Sequence, residues 1–262
     1  MSDEFLQRFS GTARLYGVDG LQRLSQAHVC VVGIGGVGSW AAEALARSAV
    51  GQITLVDLDD LCITNTNRQI HALSDTVGQS KVEVMAERIR LINPDCQCTA
   101  VEEFLAEDNL DELLANNFDY VIDAIDNVKA KAAMIHYCRR NKIPLITVGG
   151  AGGQLDPTRI QIADLSRTFQ DPLAAKVRSH LRRFHGFSKN TKRRFDVPCV
   201  FSTEQLRYPQ PDGSVCAQKT QGQEGPMRLD CSSGFGAATV VTATFGFVAV
   251  SRVIEKLIQP KS

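Results

Sequence analysis

The chain has 262 residues, enough for one large domain or a domain with an elaboration, and its 44% hydrophobic content supports a sizeable core. Basic and acidic side chains balance at 29 each, so no global charge directs the protein to nucleic acid or to a membrane surface. The opening MSDEFLQRFSG lacks the basic start and apolar core of a secretion signal, so a cytoplasmic location and reduced thiols are expected for the eight cysteines.

Residues 4–26 predict short amphipathic helices. A buried strand follows at 28–33, where a short apolar run ends at glycine, and then a helix at 36–49. Residues 52–57 form a second strand ending in acid. Residues 78–92 carry a helical period, with Val82, Met85, Ile89 and Ile92 apolar, and Pro94 stops it. Strands at 97–101, 118–124 and 144–149 alternate with helices at 107–116 and 127–141. This rhythm is that of an α/β, doubly wound, Rossmann-like parallel sheet, spanning 10–153.

Beyond Gly153 the rhythm changes, and 154–262 reads as an extension of the same single domain. Strands are expected at 159–164 and 198–206, a basic insert at 172–197, a mobile loop at 209–230 and a closing helix at 234–258. From Cys231 to Ser251 no residue is charged. A membrane span needs about 20 apolar residues. Here Gly, Ala, Thr and Ser dominate, so a buried helix at a subunit interface is expected; membrane association through 232–251 is the lesser alternative.

Gly33-Ile34-Gly35-Gly36-Val37-Gly38 follows a strand and opens a helix. Glycines at this spacing make the tight turn, let phosphate reach the backbone and bring helix and strand together. The helix N-terminus then faces an anion. Asp57, ending the second strand, can accept hydrogen bonds from a ribose. This much fits NAD as well as ATP, and an oxidoreductase stays open at this point. The deciding residues come later: Asp59, the run Asn67-Arg68-Gln69, Lys81, and Asp126 after the fourth strand. Strand ends converge on the carboxyl edge of a parallel sheet. Hydride transfer needs no such set of charges. Adenylation does, because a carboxylate attacks the α-phosphate, pyrophosphate leaves, and cations must offset the charge.

Residues 10–150 resemble the ubiquitin-activating-type (ThiF/MoeB-like) adenylating enzymes, on Arg14 in Arg14-Leu15-Tyr16-Gly17, Gly33, Gly35, Gly38, Asp57, Arg68, Lys81 and Asp126. The resemblance implies that Asp57 binds ribose, that Arg68 and Lys81 bind phosphates, and that Asp126 serves magnesium and pyrophosphate departure. It implies that Arg14 reaches the ATP of a neighbouring subunit, so a homodimer is expected. The candidate nucleotide set is therefore Gly33, Gly35, Gly36, Gly38, Asp57, Asp59, Asn67, Arg68, Gln69, Lys81 and Asp126. Arg14, Arg68, Lys81 and Asp126 are the candidate catalytic residues.

Two CxxC pairs, which hold zinc in activators of sulfur-carrier proteins, are missing, so no zinc is expected; Cys96-Gln97-Cys98 has the wrong spacing. No cysteine bears the mark of a catalytic thiol. Between 176 and 194 lie Lys176, Arg178, Arg182, Arg183, Lys189, Lys192, Arg193 and Arg194, with no acid among them and with His180, Phe184, His185 and Phe187 interleaved. Such a patch is a candidate tRNA contact, although a solvated helix face or an acidic partner explains it too.

The whole chain, with this insert and the closing helix from Ser232 to Arg252, resembles the bacterial tRNA threonylcarbamoyladenosine dehydratases. That family cyclises the threonylcarbamoyl group at adenosine 37 of tRNA and is associated with a cysteine desulfurase and its sulfur-acceptor protein. The resemblance implies an acyl adenylate on the threonine carboxylate, closed by attack from the same substituent. Activation of a sulfur-carrier protein, or a non-catalytic scaffold, are the competing readings.

Overall fold

A computed structural model of the protein describes residues 1–115, 118–210, 212–217 and 235–259. Helices α1 (Asp3–Arg8) and α2 (Ser10–Gln26) open the chain, the second kinked at Gly17. Strands β1 (His28–Val32), β2 (Gln52–Val56), β3 (Gln97–Val101), β4 (Tyr120–Asp123) and β5 (Leu145–Val148) follow. Between them run α3 (Gly38–Arg47), α4 (Lys81–Ile92), α5 (Leu110–Leu114) and α6 (Val128–Arg140). Then come β6 (Ile160–Asp164), α7 (Pro172–Phe184), β7 (Pro198–Ser202), a hairpin of β8 (Tyr208–Pro209) and β9 (Val215–Cys216), and α8 (Thr239–Leu257).

The main sheet has seven strands in the order β3-β2-β1-β4-β5-β7-β6. All pairs are parallel except β6–β7. The chain winds outward from β1 to β3 and then returns to β4 on the other side of β1. A crevice therefore opens at the carboxyl ends of β1 and β4, the place where open sheets of this kind take ligands. The register puts Val32 beside both Val56 and Asp123, so the loops after β1, β2 and β4 leave the sheet at one level.

Side chains alternate across β1. Val29 and Val31 face a core shared with α3, α4 and α8. Cys30 and Val32 face a second core shared with α5, α6 and α7. Both faces of the sheet are thus covered, as the apolar runs predict. The expected C-terminal extension is present as β6 and β7.

The structure corrects the sequence reading in several places. The helix expected from 78 begins at Lys81, because Gly78 and Gln79 pair with Leu61 and Ser80 bridges to Asp60. The strand expected over 198–206 stops at Ser202, and Glu204 turns in to accept the N–H groups of Leu155 and Asp156. The basic segment 172–197 is no appendage: α7 packs Ala174, Val177 and Leu181 into the core beside α6. Within the region read as a mobile loop, β8 and β9 pair; residues 211 and 218–230 lie outside the described residues. The closing helix packs on α3 and buries Val241, Phe245, Ala249 and Val253 within its own chain. Residues 231–234 lie outside the description, and among the described residues no helix is long and apolar enough to cross a membrane.

One buried ion pair sits where β4 ends. Lys131 of α6 is 2% exposed and Asp123 is fully buried, and Lys131 Nζ lies 2.8 Å from Asp123 Oδ1. The ammonium also donates to the Ile125 carbonyl at 2.9 Å. Thr147 Oγ1 and the Ile125 N–H donate to the carboxylate. Removing one partner leaves an uncompensated charge in the interior, which costs about 3–5 kcal/mol. Lys131→Met is therefore expected to lower the unfolding free energy by about that amount in urea titrations. A loss below about 1 kcal/mol, the range of an exposed pair, would show that Asp123 finds compensation elsewhere.

Candidate active site

The glycine loop is built by close approach. Gly33 has φ +90°, and a Cβ there would lie 2.9 Å from the Ala124 carbonyl. A Cβ at Gly38 would lie 1.8 Å from the Gly33 oxygen, so only glycine lets α3 start against the end of β1. Nothing lies within 4 Å of the same position at Gly35, which leaves the loop open on that side. The N–H groups of Gly35, Gly36 and Val37 have no acceptor among the described residues. Together with the start of α3 they form an anion-binding cradle.

Asp57 closes one side of this cradle. Its Oδ2 accepts the Ile34 N–H at 2.6 Å and its Oδ1 accepts the Asp59 N–H at 2.9 Å. Burial pushes its carboxyl up, while the Lys81 charge and these N–H donors pull it down. Lys81, the first residue of α4, is buried, with Nζ 2.7 Å from Asp59 Oδ2 and 4.0 Å from Asp57 Oδ1. It is therefore no solvated helix lysine. His71 lies nearby, buried, with neither ring nitrogen hydrogen-bonded; burial, then Lys81 and Arg88, push it down to about 3. It stays neutral at pH 7 and adds no competing positive charge.

Arg68 lies across the loop: a Cβ at Gly36 would meet its Cγ and Cδ at 3.2 Å. Its Nη1 donates to the Thr64 carbonyl at 2.9 Å and to Asn67 Oδ1 at 3.0 Å. Trp40 of α3 donates to the Arg68 carbonyl, and Asn67 Nδ2 donates to the Ala237 carbonyl just before α8. Thr239 donates to the Asn67 carbonyl. The segment is clamped between α3 and the start of α8. Gln69 turns inward and is 6% exposed, its amide oxygen without a partner among the described residues.

Asp126 is exposed and makes no hydrogen bond or ion pair among the described residues. The cap of α6 is Asn127, whose Oδ1 accepts the Lys129 and Ala130 N–H groups. Asp126 therefore takes no part in capping α6. The turn that carries it is held by Lys131 and Asp123, and Ala124 of the same turn touches Gly33. Sequence reasoning missed Lys131. The available signal was a lysine followed directly by Ala132-Ala133-Met134-Ile135.

Beside Asp126 opens a cavity of about 660 Å³, whose other wall is α7, with Lys176, His180, Arg183 and Phe184. The basic patch thus divides. Lys176 and Arg183 line the cavity, whereas Arg178 is half-buried and donates to Thr168 Oγ1. Arg182 donates to the Ser188 carbonyl and covers the Phe195 ring, and Arg194 lies 3.7 Å from Asp164. Lys189, Lys192 and Arg193 are exposed. Of the interleaved rings, Phe187 packs on Phe195, and His185 packs on His136. Phe184 is 59% exposed.

Arg14 lies exposed on α2, and no contact joins it to the other site residues. Among the described residues Cys30, Cys96, Cys98, Cys138 and Cys199 form no disulfide, and Cys231 lies outside the description. Burial pushes Cys96, Cys98 and Cys138 up to about 12, and Cys30 and Cys199 higher still, so none of these five offers a thiolate at neutral pH.

Residues 9–262 match the model of the ThiF family. The tRNA threonylcarbamoyladenosine dehydratase of Escherichia coli (strain K12) is 64% identical over 98% of this chain and 96% of its own. The protein of the same name from Haemophilus influenzae is 57% identical over 99% of this chain and 97% of its own. The crystal structure of the E. coli tRNA N6-threonylcarbamoyladenosine dehydratase in complex with ATP superposes with a TM-score of 0.87 at 58% identity, covering 98% of this chain and 96% of that one. The chain belongs to the ThiF family and, within it, to the group of the tRNA threonylcarbamoyladenosine dehydratases.

Proposed function

We propose that the protein catalyses the ATP-dependent dehydration of threonylcarbamoyladenosine at position 37 of tRNA, through an acyl adenylate. The observation that carries this reading is the turn 123–127, which borders both the anion cradle at Gly33 and the cavity lined by α7. One carboxylate, Asp126, thus stands between a place for a triphosphate and a place for an acceptor. The relatives' name and the ATP complex of the E. coli protein support the same assignment.

In this reading the cradle of Gly35, Gly36 and Val37 binds the phosphates, and Asp57 meets the ribose. Arg68 and Lys81 offset charge on the α-phosphate and on departing pyrophosphate. The threonine carboxylate oxygen attacks the α-phosphorus, the bond to the β-phosphate oxygen breaks, and pyrophosphate leaves. An atom of the ureido group then attacks the acyl carbon and AMP departs with the carboxylate oxygen, while the ureido group loses a proton. The net change on tRNA is loss of water. Attack within one substituent gives an effective molarity on the order of 10⁵ M or more. No protein thiol is required, in keeping with the buried cysteines.

Magnesium fits this arrangement. Such ions are held by one or two carboxylates together with substrate phosphates, and Asp126 is exposed, uncommitted and beside the crevice. Bound there, the ion neutralises charge on the triphosphate. A cytoplasmic setting suits the tRNA substrate and the reduced thiols of Cys30, Cys96, Cys98, Cys138 and Cys199.

The active form in this reading is a homodimer. Arg14 is exposed and uncommitted on the first long helix, and Val240 and Phe247 of α8 leave an apolar outer face. Arg14 then completes the site of the neighbouring subunit. Lys81→Ala and Asp126→Ala are each expected to lower AMP formation about 10²-fold or more with the fold intact, as loss of transition-state charge stabilisation does. Arg14→Ala should behave likewise. Mixing Arg14→Ala with Lys81→Ala should restore activity, because a mixed dimer contains one complete site. Near-wild-type turnover of Lys81→Ala or Asp126→Ala would remove that residue from the mechanism. No recovery after confirmed subunit exchange would show that Arg14 does not act across subunits.

A further inference from the structure

The face that α7 turns away from the core has its own pattern. Ala174, Val177 and Leu181 are buried, whereas Lys176, His180, Arg183 and Phe184 recur at helical spacing along the cavity wall. Phe184 is a large ring left 59% exposed among cations. The Arg183 guanidinium lies 5.0 Å from its centroid and the His180 ring 4.5 Å. These three groups form a ledge of flat surfaces with one side open. Across the cavity stand Asp126 and Phe235, and the volume of about 660 Å³ is that of a small-molecule site.

We propose that this cavity is the pocket for the modified nucleoside itself, taken out of the anticodon stack, with the adenine on the Phe184–His180 ledge and the threonine carboxylate between Lys176 and Asp126. The inference rests on the dehydratase reading and adds to it where the substrate sits. Three physical requirements favour it. The reacting carboxyl hangs from the base, so an enzyme must splay that base out to bring the carboxyl to a phosphate; RNA is read in this way, by stacking unpaired bases on aromatic and guanidinium planes. The carboxylate is negative and must approach both Asp126 and a triphosphate, and Lys176 supplies the opposing charge on the cavity wall. The pocket must also lie next to the phosphate crevice, and the turn 123–127 adjoins both the cavity and Gly33.

The cations of the patch then have separate tasks. Lys176 and Arg183 act inside the pocket, on the modified nucleoside. The exposed Lys189, Lys192 and Arg193 are left to meet backbone phosphate regardless of the modification.

The test compares binding of the full-length protein, with a non-hydrolysable ATP analogue, to one tRNA prepared with and without the threonylcarbamoyl group. Wild type is expected to prefer the modified tRNA. The unmodified adenine lacks the carboxylate that Lys176 draws in and stays out of the pocket, so Phe184→Ala should reduce that preference by about tenfold or more, the size of one lost base stack, chiefly by weakening binding of the modified tRNA. Phe184→Tyr should keep the preference, since it keeps the ring. Lys176→Gln should slow AMP formation on the modified tRNA with little change in its affinity for unmodified tRNA. The exposure of Phe184 and Lys176 makes loss of fold an unexpected result, and thermal melts check it. If wild type forms the cyclic product while Phe184→Ala and Lys176→Gln retain full preference and rate, the pocket lies elsewhere and the dehydratase reading stands. If wild type forms no cyclic product but adenylates a small carrier protein, both the reading and the pocket fall.

Discussion

The Lys131 ammonium enters the space below β4 with almost no access to water, and the Asp123 carboxylate meets it at 2.8 Å. A charge in that place must be matched closely, and the match ties three parts of the fold together. The carboxylate is the last residue of β4, the ammonium comes from α6, and the Thr147 hydroxyl comes from β5. The same ammonium holds the Ile125 carbonyl, so the turn leaving β4 has little freedom. That turn packs on the glycine loop at Ala124 and presents Asp126 to the cavity. A buried pair of this kind is poor evidence for stability, since a well-packed apolar pair often does as well. Its value here is geometric: it holds the exposed Asp126 carboxylate between the glycine loop and the cavity beside α7.

A second balance of charge operates across the crevice. Lys81 is too buried to stand alone, and Asp59 and Asp57 receive its charge. The His71 ring nearby is pushed toward its neutral form by burial, then by Lys81 and Arg88, and so adds no further positive charge there. Arg68 is positioned differently. Its stem lies against Gly36 and its backbone is held by Trp40 of α3, while its neighbour Asn67 is tied to the residues before α8. The cations of the crevice are thus held in place before any ligand arrives, and in the proposed reaction such preorganised charge lowers the barrier to group transfer.

Much of this was legible in the amino-acid sequence. Alternating apolar runs and helical periods specify a doubly wound sheet, because both patterns follow directly from burial. The glycine loop was legible because Gly33 and Gly38 answer to local geometry that only glycine satisfies. What escaped were properties that depend on partners distant in sequence. The start of α4 is set by pairing with Leu61, which no local propensity reports. The choice of Asn127 over Asp126 as helix cap decides whether Asp126 is free, and both residue types suit that position. The basic run reads as one patch along the chain. In the fold Arg178, Arg182 and Arg194 turn to Thr168, Phe195 and Asp164, and only some of the cations remain available. Lys131 was invisible for the same reason, since its meaning lies in Asp123, on another element.

In the proposed reaction a carboxylate oxygen of the tRNA substituent becomes bonded to the α-phosphorus of ATP. An isotope decides this most directly. The threonine carboxylate of the modified tRNA is labelled with ¹⁸O, and AMP and pyrophosphate from a single turnover are weighed by mass spectrometry. The mechanism predicts one labelled oxygen in each AMP and none in pyrophosphate. Unlabelled AMP beside a cyclised nucleoside, or label in released phosphate or pyrophosphate, would contradict it.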